Sequence, residues 1–266
     1  MNEVQSTRCL VTGAGSGIGK AIVRRLLAKG NTIVLALDRN DESLAAVERE
    51  FDSPNLITCL FDLTQTEDIG DFVRELVREH GPINQLVNNA GTWDLKSITE
   101  LDEISWDIIF SVNVKAPFVL IRELAPVMRS AGGGAIVNIA SRNALRSSTK
   151  NSAYDASKAA LLALTRTAAG ELAAYGIRVN AVCPGMIHTP PNDSLVTEGL
   201  FHDVYRRLIP MNRFGLPEEI AGVVAFLLSQ DSSFITGESI IADGGQIACQ
   251  DNDRLMEIPN LGWLKE

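Results

Sequence analysis

A tyrosine and a lysine stand four residues apart in this chain, Tyr154 and Lys158, and Ser141 lies thirteen residues before the tyrosine. Residues four apart on a helix share one face, so the phenol and the ammonium can point into one site. A phenol titrates at about 10 in a model peptide, and a neighbouring cation lowers that pKa toward neutrality. These residue types therefore suit proton transfer to or from an alcohol oxygen. The Tyr-x-x-x-Lys spacing also occurs on exposed helices that have no catalytic role. Other motifs in the chain are therefore needed to distinguish a catalytic pair from an exposed one.

The start of the chain has the pattern of a strand, a glycine-rich loop and a helix. An apolar run leads into Gly13-Ala14-Gly15-Ser16-Gly17-Ile18-Gly19, and an amphipathic stretch follows. Glycines allow a tight turn close to a pyrophosphate, and the helix N-terminus adds N–H donors. The next apolar run ends on Asp38, which is placed to accept hydrogen bonds from an adenosine ribose. An ordinary glycine-rich turn is the alternative interpretation, because the spacing T-G-x-x-x-G-x-G differs from the common dinucleotide fingerprint.

Further motifs follow in a fixed order along the chain. They are Asp62-Leu63, Asn88-Asn89-Ala90-Gly91, Asn113, the run that ends on Ser141, Pro184-Gly185 with Ile187 and Thr189, and Asp243-Gly244-Gly245. In this order, the chain resembles the classical short-chain dehydrogenase/reductases, and the resemblance covers residues 6 to 246.

Alternating strand and helix patterns run along the whole sequence and predict an α/β fold. We expect a single-domain, Rossmann-type, doubly wound parallel sheet of about seven strands with helices on both faces. The catalytic domain is predicted over 1–246, with a substrate loop over 188–215 and a C-terminal extension over 247–266. Strands are expected near 8–12, 32–37, 56–60, 84–88, 134–140, 177–183 and 238–242.

The resemblance implies a role for each of four polar side chains. Tyr154 is the general acid/base, and Lys158 lowers its pKa and holds the nicotinamide ribose. Ser141 donates a hydrogen bond to the substrate oxygen. Asn113 anchors a water that relays protons between Lys158 and solvent; hydrogen bonding within its own helix is the alternative for Asn113.

The resemblance also implies a nicotinamide cofactor, and the charge near its ribose favours NAD over NADP. The Asp38 carboxylate can accept a hydrogen bond from a 2′-hydroxyl and repels a 2′-phosphate. Ser16 stands where NADP-using members of the family often carry a basic residue. Arg39 favours NADP instead, because an arginine can pair with a 2′-phosphate. The expected cofactor-binding residues are Gly13, Ser16, Gly17, Ile18, Gly19, Asp38, Asp62, Leu63, Asn89, Ala90, Gly91, Tyr154, Lys158, Pro184, Gly185, Ile187 and Thr189.

The substrate itself is not identified by the sequence. By resemblance the pocket is lined after Ser141, after the Asn-Ala-Gly motif and after Pro184-Gly185. The expected substrate residues are Trp93, Ser141, Asn143, Arg146, Met186 and His188; Arg142 and Leu145 fall in the same stretch. This mixture of groups suits a polyol, a cyclic ketone or a small anionic molecule.

Composition limits the partners. The net charge is −9, which argues against nucleic acid and anionic lipid. No run of 18 apolar residues predicts a membrane span, and residues 1–5 have no secretory pattern. The cysteines lack metal or redox spacing, so we expect no metal, buried free thiols and a cytoplasmic location.

Three functions are compatible with the sequence. The first is an NAD-dependent oxidoreductase that interconverts a small secondary alcohol and a ketone. The second is an NADPH-dependent 3-oxoacyl-acyl-carrier-protein reductase, which Asp38 and the net charge of −9 disfavour. The third is a non-catalytic dinucleotide-sensing protein, which would be expected to lack one of Ser141, Tyr154 and Lys158.

Two further features concern assembly. Long helices are predicted over 103–130 and 152–175, and both are apolar beyond one core-facing stripe. By resemblance these helices pair two subunits, and a homotetramer is expected. The extension 247–266 holds apolar residues, including Trp263, that either cover their own subunit or cross to a neighbour's substrate pocket. The apolar residues behind the helix prediction are Phe118, Leu120, Ile121, Leu124, Leu161, Leu162 and Leu164.

Overall fold

Seven apolar runs, separated by helical stretches, form one parallel sheet in the computed structural model, which describes residues 7–190 and 199–249. The sheet order is β3-β2-β1-β4-β5-β6-β7, and every neighbouring pair is parallel. This confirms the doubly wound, Rossmann-type fold. The strands are β1 Thr7–Thr12, β2 Thr32–Asp38, β3 Leu56–Leu60, β4 Gln85–Asn88, β5 Gly134–Ile139, β6 Ile177–Pro184 and β7 Ser239–Ala242.

Helices cover both faces of this sheet because its strands are apolar on both sides. In β1, Cys9 and Val11 belong to one core cluster and Leu10 to the other. The first cluster takes the inner faces of α1, α2 and α8, and the second takes those of α3, α5 and α6. The helices are α1 Gly17–Leu27, α2 Asp41–Phe51, α3 Ile69–His80, α4 Glu103–Phe110, α5 Ala116–Ser130, α6 Ser152–Leu172, α7 Leu200–Arg207 and α8 Pro217–Leu227.

The helix predicted over 103–130 is continuous but not uniform. A π-helical turn, Ser111–Lys115, joins α4 to α5, and such turns are frequent at functional sites. Glu103–Ser130 is long and apolar enough to cross a membrane by length and composition alone, and 44% of its most apolar window is buried inside the protein. That burial identifies it as a core helix of the sheet's second face.

Most of the apolar residues behind the assembly prediction lie inside their own subunit. Leu120, Leu124 and Leu161 are at most 1% exposed, and Ile121 and Leu162 are also buried. Phe118 is 45% exposed and lines an outer groove between α5 and α6 with Leu164, Leu172 and Tyr175. The candidate assembly surface is therefore this groove, and it is narrower than the sequence predicts.

The stretch after β6 interrupts the alternation of strands and helices, as the prolines there indicate. Ile187 forms an isolated parallel bridge with Gly215, which closes the segment back on itself. A short helix, α7 Leu200–Arg207, lies within the predicted substrate loop. Residues 191–198 and the tail from 250 onward, including Trp263, lie outside the described residues.

The cysteines are free, as expected. Cys9, Cys59 and Cys183 are buried on β1, β3 and β6, and Cys249 is exposed. Burial raises the pKa of the Cys9 thiol far above its ordinary value and that of Cys59 to about 12, so neither is a thiolate at neutral pH.

Candidate active site

A cavity opens at the carboxyl ends of β1 and β4, where the order of the sheet reverses. Ligands of open α/β sheets bind at this kind of position. It extends from the glycine loop to Tyr154 and Lys158. Its lining includes most of the expected cofactor residues: Gly13, Ser16, Gly17, Ile18, Asp38, Asp62, Leu63, Asn89, Ala90, Gly91, Tyr154, Lys158, Pro184, Gly185, Ile187 and Thr189.

Gly19 is the one expected cofactor residue that does not line the cavity. It lies behind the loop, where a Cβ would come within 2.0 Å of the Gly13 carbonyl oxygen. Its role is therefore the close contact between the start of α1 and the loop, and any larger residue would displace the turn that surrounds the cavity.

The glycine loop is fastened to the loop after β4 by side chains from both sides. The buried Thr12 hydroxyl accepts hydrogen bonds from the backbone N–H groups of Asn89 (3.0 Å) and Ala90 (2.9 Å). The Asn89 amide donates in return to the carbonyls of Thr12 (2.9 Å) and Gly13 (3.1 Å). These four bonds fix the distance between the two loops, so the turn has its shape before any ligand binds.

Asp38 ends β2 and holds the next part of the same loop. One carboxylate oxygen accepts from Gly15 N–H at 2.9 Å and the other from Asn40 N–H at 3.1 Å. Each carboxylate oxygen can accept more than one hydrogen bond, so the group can still receive a ribose hydroxyl. The exposed Arg39 lines the cavity directly beside it.

Asn113 reaches the site because the π-helical turn carries it. It is completely buried, and its amide donates to Thr92 O (2.9 Å) and to the Ser157 hydroxyl (3.0 Å) while its oxygen accepts from Thr92 N–H (2.9 Å). The Ser157 hydroxyl in turn donates to Tyr154 O at 2.7 Å. Asn113 thus joins the loop after β4 to α6, and helix-internal bonding of its side chain is not what the structure shows.

Ser141, Tyr154 and Lys158 converge at the inner end of the cavity. The Ser141 hydroxyl lies beside the Tyr154 phenol and lowers its pKa, and the Lys158 ammonium lies 5.7 Å from the centre of the Tyr154 ring. Lys158 also donates to Ile139 O at 2.8 Å. A Cβ at Gly91 would lie 3.3 Å from this ammonium, so glycine leaves room for the lysine.

The pKa values at this centre are governed by burial. Burial raises the pKa of the Tyr154 phenol, and the hydrogen bond from Ser141 and the charge of Arg142 only partly oppose that rise. Burial also lowers the pKa of Lys158 to about 8. The lowering of the phenol pKa expected from Lys158 is therefore absent in the protein alone, because desolvation penalises the phenolate more than its neighbours favour it.

The expected substrate residues fall into two groups. Trp93, 44% exposed, and Ser141 line the cavity. Asn143 instead donates its amide to the buried Asp155 at 2.7 Å, and Arg146 is exposed. Met186 packs on Ile209 and Phe214 under α7, and His188 is exposed, with its N–H bonded to Gly215 O.

Several cavity residues were not expected from the sequence. Thr92 and Val112 stand next to motif residues, and Phe61 precedes Asp62 directly. Thr12, which fastens the glycine loop, belongs to the T-G-x-x-x-G-x-G pattern, so the pattern itself carried a signal for it. For Thr92, Val112 and Phe61, the only indication in the sequence was their position next to a motif residue.

Comparison with known proteins agrees with this geometry. A family model described as Enoyl-(Acyl carrier protein) reductase matches residues 13–246. The 3-oxoacyl-[acyl-carrier-protein] reductase FabG of Thermotoga maritima is 37% identical over 241 residues, 90% of this chain and 97% of the relative. The NAD-dependent glycerol dehydrogenase of Listeria innocua is 38% identical over 236 residues, 89% and 92% of the two chains.

Solved structures show the same fold. A structure of 4-hydroxyisoleucine dehydrogenase complexed with NADH has a TM-score of 0.86 and 31% sequence identity and covers 92% of this chain and 100% of that one. Other similar structures hold NADP. The fold and the site thus define an oxidoreductase of alcohols and ketones that uses a nicotinamide cofactor. The chain belongs to the classical short-chain dehydrogenase/reductase family.

Proposed function

We propose that the protein is an NAD-dependent oxidoreductase that interconverts a small secondary alcohol and its ketone, with Tyr154 as general acid/base. The observation that carries the proposal is the convergence of Ser141, Tyr154 and Lys158 at the inner end of a cavity that begins at the glycine loop. The adjacent hydroxyls of Ser141 and Tyr154 give a substrate oxygen two groups to contact.

In the oxidative direction, Tyr154 takes the proton of the carbinol, and in the reverse direction it returns that proton to the carbonyl oxygen. Ser141 donates to the same oxygen, where negative charge develops in the transition state. Asn113 holds the Thr92 loop against α6 and thereby the wall opposite Lys158. In the proposal, Asn113 also supports the water that carries protons from Lys158 to solvent.

The residues that line the cavity fit a dinucleotide. The glycine loop and the start of α1 offer backbone N–H groups to a pyrophosphate, Asp38 offers acceptors to a ribose, and Lys158 reaches the inner end. The nicotinamide, when bound, exchanges hydride with the carbinol carbon, and in its oxidised form it brings a positive charge that favours the phenolate. The Tyr154 phenol, whose pKa is raised by burial, would ionise more readily beside such a charge.

NAD is proposed over NADP because the carboxylate of Asp38 lies at the ribose end of the cavity. A 2′-phosphate there would meet a negative charge at close range, which is unfavourable. Arg39, which lines the same end, is the residue that would support NADP instead.

The second candidate function is the NADPH-dependent reduction of 3-oxoacyl groups on an acyl carrier protein. The similarity to the Thermotoga maritima enzyme favours it, and so does the description of the matching family model. Asp38 opposes it at the cofactor, and the net charge of −9 opposes docking of an acidic carrier. A non-catalytic role is disfavoured because all three catalytic residue types are retained.

A panel of secondary alcohols and ketones, each with NAD and NADP, tests the proposal through the absorbance of the reduced nicotinamide. We expect turnover of small free alcohols, faster with NAD. Turnover restricted to acyl-carrier-protein thioesters with NADPH would establish the second candidate. Cofactor binding without turnover of any substrate would establish the third.

The proposal includes a cytoplasmic homotetramer. The groove that Phe118, Leu164, Leu172 and Tyr175 line between α5 and α6 is apolar, and a second copy would cover it. Light scattering at micromolar concentration should give a tetramer mass, and a sharp monomer mass would contradict it. Replacement of Phe118 by Asp should shift the mass downward without loss of the fold.

A further inference from the structure

The residue that follows Ser141 is an arginine, Arg142, with no acidic partner in the described part of the chain. Arg142 begins a short turn, Arg142–Ala144, and is half-buried. Its guanidinium donates one hydrogen bond, to the Tyr205 hydroxyl on α7 at 2.7 Å, and lies 5.9 Å from the centre of that ring. Among the described residues, no carboxylate pairs with it. A guanidinium carries five N–H donors, so most of its hydrogen-bonding capacity is unused by these residues.

Charged groups on segments near Arg142 do have partners. Arg213 is bound through two nitrogens to Glu219, each at 2.7 Å. Both oxygens of the buried Asp155 accept hydrogen bonds, from the Asn143 amide and from Ser148 N–H. Arg142 has no such partner among the described residues, and its half-buried guanidinium offers N–H donors that an anion could accept.

The position of Arg142 relates that place to the reaction centre. It is the chain neighbour of Ser141, and its charge acts on the Tyr154 phenol. An anion bound to Arg142 would therefore lie close to the oxygen that Ser141 and Tyr154 contact. Tyr205, on α7, accepts a hydrogen bond from the guanidinium, and its ring stacks on Phe214. This stacking restricts the orientation of the guanidinium group.

We propose that Arg142 binds a carboxylate of the substrate, so that the enzyme acts on hydroxycarboxylates and the corresponding oxocarboxylates. The inference rests on the proposed function and adds the class of substrate to it. The planar guanidinium matches a carboxylate through paired N–H donors. The carboxylate takes no part in the redox step; only the carbinol carbon is oxidised. A neutral polyol would leave the guanidinium without an ion partner.

The test compares substrates that differ only in this group. Gluconate and glucitol share a carbon skeleton, and shorter pairs of hydroxy acid and polyol extend the series to four carbons. We expect wild-type kcat/KM to be higher for the acid of each productive pair. In Arg142→Gln the value for the acid should fall by about 10- to 100-fold relative to the polyol, which corresponds to the loss of charge-assisted hydrogen bonds.

Two control variants separate recognition from anchoring. Arg25→Gln removes the same charge from an exposed position of α1 and should leave the acid-to-polyol ratio unchanged. Tyr205→Phe removes the hydrogen bond from Arg142 but keeps the ring. If Arg142 merely anchored α7, Tyr205→Phe would reproduce the effect of Arg142→Gln; we expect it to retain the preference for acids.

The outcomes distinguish the two proposals. A wild-type enzyme that prefers the polyols, or an unchanged ratio in Arg142→Gln, would overturn the inference and leave the oxidoreductase function standing. No turnover of any alcohol or ketone with either cofactor would overturn the proposed function and the inference with it. If Arg142→Gln does not fold, Arg142→Lys is the variant to measure, because it keeps the positive charge but loses the paired N–H donors of the guanidinium. KM for the acids should then rise, while KM for the polyols stays constant.

Discussion

The two ends of the cavity are built in different ways. At the cofactor end, Thr12, Asn89 and Asp38 bind backbone groups of the glycine loop and its neighbours through short hydrogen bonds. At the end that we propose binds the substrate, the segment after β6 contacts itself through the bridge between Ile187 and Gly215, and Arg142 binds Tyr205 of α7. Trp93 is half-exposed at the same end.

The difference indicates where each property of the enzyme is encoded. Side chains that satisfy backbone groups fix one geometry, so the cofactor end serves one ligand class. A segment that lies outside the sheet can change its side chains without disturbing the strands. In our proposal the reaction class is therefore set by the cofactor end and the reaction centre, and the choice of substrate by the segment after β6.

The largest effect is expected at Tyr154, where the two ends meet. Tyr154→Phe keeps the ring and removes the proton-transferring hydroxyl, so kcat should fall on the order of 10²–10⁴-fold. The dissociation constant for NAD, measured by fluorescence titration, should stay near that of the wild type because the aromatic ring of residue 154 keeps its packing. A variant that keeps about a third of wild-type kcat would rule out general acid/base catalysis by this residue.

A substitution of Lys158 tests how much burial of this charged group lowers the free energy of unfolding. Lysine titrates at about 10.4 when unfolded and at about 8 in this protein. The unfolded chain therefore binds more protons between these values, and stability rises with pH through that window. Below pH 8 the full penalty applies, roughly 3 kcal/mol at 1.36 kcal/mol per unit.

Lys158→Met should accordingly be inactive yet more stable than the wild type at pH 7. Urea unfolding at several pH values measures the gap in the free energy of unfolding, which should close as the pH approaches about 10.4. A gap that does not vary with pH would show that the buried charge is not its source.

Thr12 tests whether the cofactor end is held by its hydrogen bonds. Thr12→Val leaves the N–H groups of Asn89 and Ala90 without an acceptor, at a cost of about 1–3 kcal/mol in the free energy of unfolding. NAD affinity should fall as well, while KM for substrate changes little. Thr12→Ser, which keeps the hydroxyl, is the matched control and should behave like the wild type; equal losses in both variants would point to packing of the methyl group.

The smallest effect is expected at Asp38. Asp38→Ser removes the negative charge from the ribose end, and the ratio of kcat/KM for NAD to that for NADP should fall by about tenfold, or 1.4 kcal/mol. Asp38→Asn separates charge from hydrogen bonding, because the amide oxygen can still accept from Gly15. A wild type that already prefers NADP would invert the charge argument and make Arg39 the residue to replace.

Much of this architecture could be predicted from the sequence because it depends on local patterns. The strand that ends at Asp38 and the loop from Gly13 to Gly19 are set by periodicity and turn chemistry. The contact of Asn143 with Asp155 could not be predicted, because it depends on how a short turn packs against α6. The same holds for Arg142 and Tyr205, which are 63 residues apart, and for the raised pKa of Tyr154, which depends on burial.

The π-helical turn at Ser111–Lys115 has a consequence for how the helix around it is interpreted. An α-helix advances by about 100° per residue, so one additional residue in a turn puts α5 out of phase with α4. A single helical wheel drawn over residues 103–130 superimposes two apolar stripes that point in different directions and makes the helix look apolar nearly all round. Deleting one residue of the turn would bring the stripes into phase, but it would rotate α5 by about the same angle and withdraw Leu120 and Leu124 from the core.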